Sequence, residues 1–105
     1  MDEFVCLTLL ANPGEAEAAF SARLSRFWTQ MLRNRPDDFK KVYAEAAAFE
    51  EHRGRLTRRY LAAEDVLAVL EKELASAGVE QLPVDRDETF TKYEAVAPEW
   101  WQIEH

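Results

Sequence analysis

The first patterned segment is apolar at nearly every position: Phe4, Val5, Cys6, Leu7, Leu9 and Leu10, closed by Asn12-Pro13-Gly14. A run of that length without alternation predicts a strand buried on both faces. The period then changes. In "NPGEAEAAFSARLSRFWTQMLRN", Phe20, Leu24, Phe27, Trp28, Met31 and Leu32 recur at three- and four-residue spacing, which predicts an amphipathic helix over about 13–33. Asn12 stands where a cap is wanted, Pro13 at the first helical position, and Glu15 three residues after the cap.

The next stretch, "RPDDFKKVYAEAAAFEEHRGR", fits two patterns. Pro36, Asp37 and Asp38 resemble a helix's first turn, and Phe39, Val42, Tyr43, Ala46 and Phe49 keep helical spacing. The alanines add helix propensity, so local chemistry favours a helix over about 36–49. The rival is a β-hairpin turning at Arg53-Gly54, with "VYAEAAAFEEH" paired against "RLTRRYL". "RLTRRYLA" predicts a strand over about 55–61. "AEDVLAVLEKELASAGV" predicts a second helix whose buried stripe is Val66, Leu67, Leu70 and Leu74, with Gly78 as terminator and Val79 turned back towards Leu74. After a loop at "QLPVDRD", the segment "ETFTKYEAVA" reads as a last strand that Pro98 ends.

These elements imply an α+β fold: a small, mostly antiparallel sheet with two or three helices packed on one face. A hairpin over 39–61 would instead give the ferredoxin-like order strand-helix-strand-strand-helix-strand. The 105 residues suit one domain, 1–105, with 98–105 as a docking tail. The other face of the sheet is expected to need cover.

Composition and charge narrow the function classes. The net charge is −7, of which residues 79–105 carry −5. An acidic chain lacks the basic footprint that nucleic acid requires, with "RGRLTRR" as the local exception. The apolar N-terminal run follows Asp2 and Glu3 in place of basic residues and is cut by Pro13, so neither a signal peptide nor a membrane partner is expected. Cys6 is the single cysteine, which rules out an internal disulfide and a cysteine zinc cage and points to a cytoplasmic protein.

Candidate chemistry is sparse. Gly14, Gly54 and Gly78 are isolated and build no phosphate cradle, and Ser21, Ser25 and Ser76 fall inside helices. Cys6 has apolar neighbours and reads as a small buried hydrophobe. The Glu-His pairs at Glu51-His52 and Glu104-His105 lack metal-ligand spacing, and Asp85, Asp87 and Glu88 read as turn residues. No metal and no cofactor is expected. Arg58 and Arg59 are candidates for clamping an anion, against the plainer reading that they pair with Glu88, Glu94 or the acidic start of the second helix.

The most distinctive stretch is "APEWWQIEH". Adjacent residues diverge on any regular element, so Trp100 and Trp101 cannot both enter one pocket of a lone domain. One ring is expected to cover the sheet with Ile103, while the other stays exposed or meets a partner, against the plainer reading of a tail folded entirely onto its own domain. The expected function is therefore a non-catalytic protein-interaction or regulatory domain. It would be a homodimer or bind another protein, with Trp100, Trp101, Tyr93 and Ile103 as anchors. The alternative is a small enzyme or ligand-binding domain. Its pocket between sheet and helices would be lined by Trp28, Tyr43 and Tyr60, with Arg58 or Arg59 on an anionic group and His52 or Glu51 moving protons.

Overall fold

Two neighbouring residues with positive φ decide the topology. Arg53 (φ 52°) and Gly54 (φ 80°) form the centre of a two-residue turn flanked by the pair His52↔Arg55. Positive φ at both central positions is the type I′ geometry, whose twist suits a hairpin. The hairpin reading of this region is therefore the one adopted. The computed structural model describes residues 4–45, 49–86 and the backbone of 93–95.

Strand β1 (Phe4–Leu10) leads into helix α1 (Glu17–Asn34) and a single helical turn, α2 (Pro36–Phe39). Strands β2 (Val42–Glu45) and β3 (Glu50–His52) make the first arm of the hairpin, and β4 (Arg55–Ala63) makes the second. A 3-10 turn at Glu64–Val66 feeds α3 (Leu67–Ser76), followed by β5 (Glu80–Gln81) and β6 (Tyr93–Ala95). All pairings are antiparallel, in the order β5-β1-β4-β2-β6, with β3 also on β4. The first four strands of that order, with α1 and α3 as crossovers, are the ferredoxin-like arrangement. The sheet gains β6 as an added edge strand, outside "QLPVDRD", where the expected loop instead begins with β5 at Gln81 and bridges Asp85 to Cys6.

The helix expected over 36–49 thus stops after one turn. Val42 and Ala44 are buried while Tyr43 and Glu45 are half-buried, a period of two. The same residues satisfy helical spacing, but β4 offers Val42, Tyr43 and Ala44 a complete backbone ladder through Ala62, Leu61 and Tyr60. Long-range pairing overrides alanine's local preference.

Helix α1 also starts later than expected, at Glu17 and not Pro13. Pro13 and Gly14 (φ 76°) occupy the middle of a tight turn closed by the Glu15 N–H donating to the Asn12 carbonyl at 3.0 Å. Proline then glycine is the preferred sequence for a type II turn, and positive φ cannot continue into a helix. The carboxylate of Glu15 still reaches back to accept from the Asn12 N–H at 2.9 Å, so the capping-box contact forms but closes a turn. The C-terminus of α3 follows expectation: Val79 N–H donates to Leu74 O and Gly78 N–H to Ala75 O, the Schellman pair.

The core lies between the helices and one sheet face. Leu7, Leu9, Ala44, Tyr60 and Ala62 of the sheet meet Phe20, Leu24, Trp28 and Met31 of α1, and Leu70 and Leu74 of α3. Trp28 is its centre, with ring contacts to Phe27 (4.8 Å), Tyr60 (5.0 Å) and Phe39 (6.3 Å). On the helix-free face, β1 is apolar as expected, but the face is not bare. Cys6, Leu10 and Thr57 are buried there, leaving Phe4 as the exposed large hydrophobic among the described residues. No helix among the described residues is long and apolar enough to cross a membrane.

Arg53 bears the cost of left-handed backbone, about 1–2 kcal/mol for a residue with a Cβ. Arg53→Asn, which tolerates that conformation and suits the turn, is expected to stabilise the protein by about 0.5–1 kcal/mol. Urea unfolding would measure this as a raised midpoint at unchanged slope.

Candidate anion-binding cleft

The helices differ in length. At about 1.5 Å per residue the 18 residues of α1 run about 27 Å, and the 10 of α3 about 15 Å. Part of the flank of α1 is therefore left without a neighbour, and a cleft of about 420 Å³ opens beside it. Phe27, Met31 and Val79, at the margin of the core, form its floor. One wall is a stripe of α1, Arg23, Arg26, Gln30 and Asn34, whose three- and four-residue spacing sets them on one face beside the apolar stripe. Glu73, Ser76 and Ala77 form the other wall, and Arg35 closes one end.

The three guanidinium groups are held differently. Arg23 is anchored: its Nε donates to Glu15 Oε2 and its Nη2 to Glu15 Oε1, both at 2.8 Å. This fork uses two of the five arginine N–H donors and leaves three. The Arg23 hydrogen bonds hold the Glu15 carboxyl below the usual glutamate range despite its partial burial, with the Asn12 N–H adding to the effect. Reciprocally, Glu15 keeps the Arg23 guanidinium charged, above its ordinary value. Arg35 is loosely held, 3.5 Å from Asp38 and 3.8 Å from Glu73. Arg26 is exposed and has no hydrogen bond or ion pair among the described residues.

Three arginines thus line the cleft in a chain whose net charge is −7: Glu15 pairs with Arg23, Asp38 and Glu73 lie near Arg35, and Arg26 is the one with no ion pair among the described residues. Asn34 and Ser76 are the last residues of their helices, so carbonyl ends, not N–H ends, lie nearby. Attraction for an anion rests on the arginine side chains alone. The arrangement can orient an anionic group bidentately, with Gln30, Asn34 and Ser76 as neutral hydrogen-bonding groups.

The residues singled out by sequence lie elsewhere and are not brought together. Arg58 and Arg59 project to opposite faces of β4, as strand alternation requires. Arg58 is buried on the helix side, with its guanidinium 5.2 Å from the Phe49 ring centroid. Arg59 grips Glu45 through Nε and Nη2 and lies 3.5 Å from Glu50. Among the described residues its carboxylate partners are Glu45 of β2 and Glu50 of β3, while Glu88 and the side chain of Glu94 lie outside them. Trp28 and Tyr60 are fully buried and fill the space where a sheet-helix pocket was expected, while Tyr43 lies on the other face against Phe4 at 6.1 Å. Glu51 and His52 are exposed near the hairpin turn. Burial pushes the Cys6 thiol up, more than Arg59 and Thr8 lower it, in keeping with a buried small hydrophobe. Asp85 is exposed beside Cys6.

Tyr93 pairs with Glu45 through the backbone of β6. Trp100, Trp101 and Ile103 lie outside the described residues, as do Asp87 and Glu88. Among the described residues, no group of three His, Cys, Asp or Glu side chains is placed to hold a metal ion. The cleft arginines were legible only as a pattern: Arg23, Arg26, Gln30 and Asn34 flank the apolar stripe of α1, a signal weaker than the dense "RGRLTRR". No family model matches the chain, and comparison with curated proteins and with solved structures gives no match.

The Glu15–Arg23 contact predicts a pH signature. The Glu15 pKa is lower folded than unfolded, so its stabilisation is complete above the unfolded glutamate value of about 4.3 and is lost as pH falls through the lowered folded value. Glu15→Gln should cost about 1–2 kcal/mol at neutral pH. Unfolding curves of the two proteins should converge as the solution is acidified below about pH 4.

Proposed function

We propose that this protein is a non-catalytic binding domain that holds an anionic ligand in the cleft beside α1. The observation that carries the reading is that Arg23, Arg26 and Arg35 line one cleft and that Arg26 has no ion pair among the described residues, in a chain that is otherwise strongly acidic. Arg23 is fixed in advance by Glu15, which lowers the ordering cost of binding. Arg26 has no carboxylate to give up, so its charge is available to an incoming anion. The reading moves arginine recognition from Arg58 and Arg59 to α1, because Arg59 already holds Glu45.

Thermal-shift measurements at low salt with phosphate, pyrophosphate and citrate test this. A probe at a hundred times its dissociation constant should stabilise the fold by about 2.7 kcal/mol. The shift should fall steeply in about 1 M salt, where the Debye length is about 3 Å. Arg26→Glu should weaken binding at least about tenfold while leaving the unliganded midpoint unchanged, since Arg26 is exposed and makes no hydrogen bond or ion pair among the described residues. A response to none of the probes, or an equal response in the mutant, would refute the site.

Self-association, with the aromatic C-terminal residues as anchors, is the second reading. Phe4 is 37% exposed and its ring meets Tyr43 on the helix-free face. It ranks lower because a stable interface needs about 800 Å² per partner. The neighbours Cys6 and Leu10 are already buried within one chain. Sedimentation velocity across a wide concentration range checks it: a dimer that Phe4→Ser dissociates would support this face as the interface, and a monomer throughout would remove it.

A further inference from the structure

We infer that the ligand of the cleft is an amphipathic organic anion, a small molecule with one anionic head and an apolar body, and not a bare oxyanion; the inference rests on the anion-binding reading above. Size is the first argument. A water molecule claims about 30 Å³ of liquid, so a five-atom oxyanion fills only a fraction of the cleft's approximately 420 Å³. That volume lies in the range of pockets that take small organic molecules.

The second argument is how the chemistry is distributed. The charged groups stand on the walls and at one end, while the floor is Phe27, Met31 and Val79. A hydrated ion clamped by Arg26 would leave the narrow exposed part of that floor facing water. An apolar body attached to the same head group would cover it, and Met31 is a side chain that adapts to varied shapes. The aliphatic stems of Arg23 and Arg26 extend the apolar surface towards their charged tips. Head and body therefore have separate receivers within one cleft.

The magnitude required is modest. Removing about 55 Å² of apolar surface from water at about 25 cal/mol per Å² corresponds to about a tenfold gain in affinity. A phenyl ring that loses that much of its own surface against the floor and the stems of Arg23 and Arg26 meets the requirement.

Isothermal titration of the full chain with inorganic phosphate, phenyl phosphate and benzyl alcohol tests the inference at one salt concentration. Phenyl phosphate should bind at least about tenfold tighter than inorganic phosphate, benzyl alcohol should bind far more weakly than phenyl phosphate, and Arg26→Ala should weaken phenyl phosphate about tenfold or more. The thermal midpoint of unliganded Arg26→Ala should match wild type, which separates lost binding from lost folding. Equal affinities for the two phosphates would overturn the amphipathic ligand and leave the anion site standing. No binding of either phosphate, or binding indifferent to Arg26→Ala, would overturn both. Benzyl alcohol binding as tightly as phenyl phosphate would show that the charge is irrelevant and would also overturn both.

Discussion

Strand β4 must satisfy its backbone groups on two edges, and the rest of the fold is arranged around that requirement. β1 takes one edge over all seven of its residues, and β2 and β3 share the other. A strand left unpaired on either side would bury polar groups without partners, at a cost comparable to losing each hydrogen bond outright. The turn at Arg53-Gly54 delivers the second edge by folding the preceding chain directly onto β4. Once β4 is central, the face bearing Tyr60 and Ala62 becomes the floor on which α1 and α3 pack.

Packing on that floor depends on contrast in size. Tyr60 lies opposite Leu7 and Ala44 across the sheet, and the small Ala44 sits beside a ring against which Trp28 packs at 5.0 Å. Phe39, from the single turn α2, reaches the same indole. The short helix thus contributes one large side chain to the core before the chain enters β2. The indole N–H of Trp28 has no hydrogen-bond partner among the described residues, so it is retained for its packing surface and not for a polar contact.

Much of this was legible in the sequence, and the rest was hidden for identifiable reasons. The doubly buried β1, the apolar stripe of α1 and the Gly78 terminator of α3 each rest on local rules, and each is present. The segment around Val42 satisfies two periods at once, and only the distant β4 decides between them. Pro13-Gly14 looked like a helix start because a cap and a type II turn draw on the same residues, with φ at Gly14 separating them. β5 is too short to carry a pattern of its own. The cleft went unread because it depends on the unequal lengths of two helices, which no single segment records. Arg59 drew attention through the basic run around it, while the carboxylates that occupy it, Glu45 and Glu50, come from the neighbouring strands.

The lone cysteine has a practical consequence. Cys6 is 2% exposed in the middle of β1, and burial suppresses its thiolate. Alkylating reagents need a reachable thiolate, so the native protein resists them until β1 separates from β4. Each molecule therefore carries a built-in chemical clock for opening of its central sheet, read from the rate at which mass is added to a single side chain.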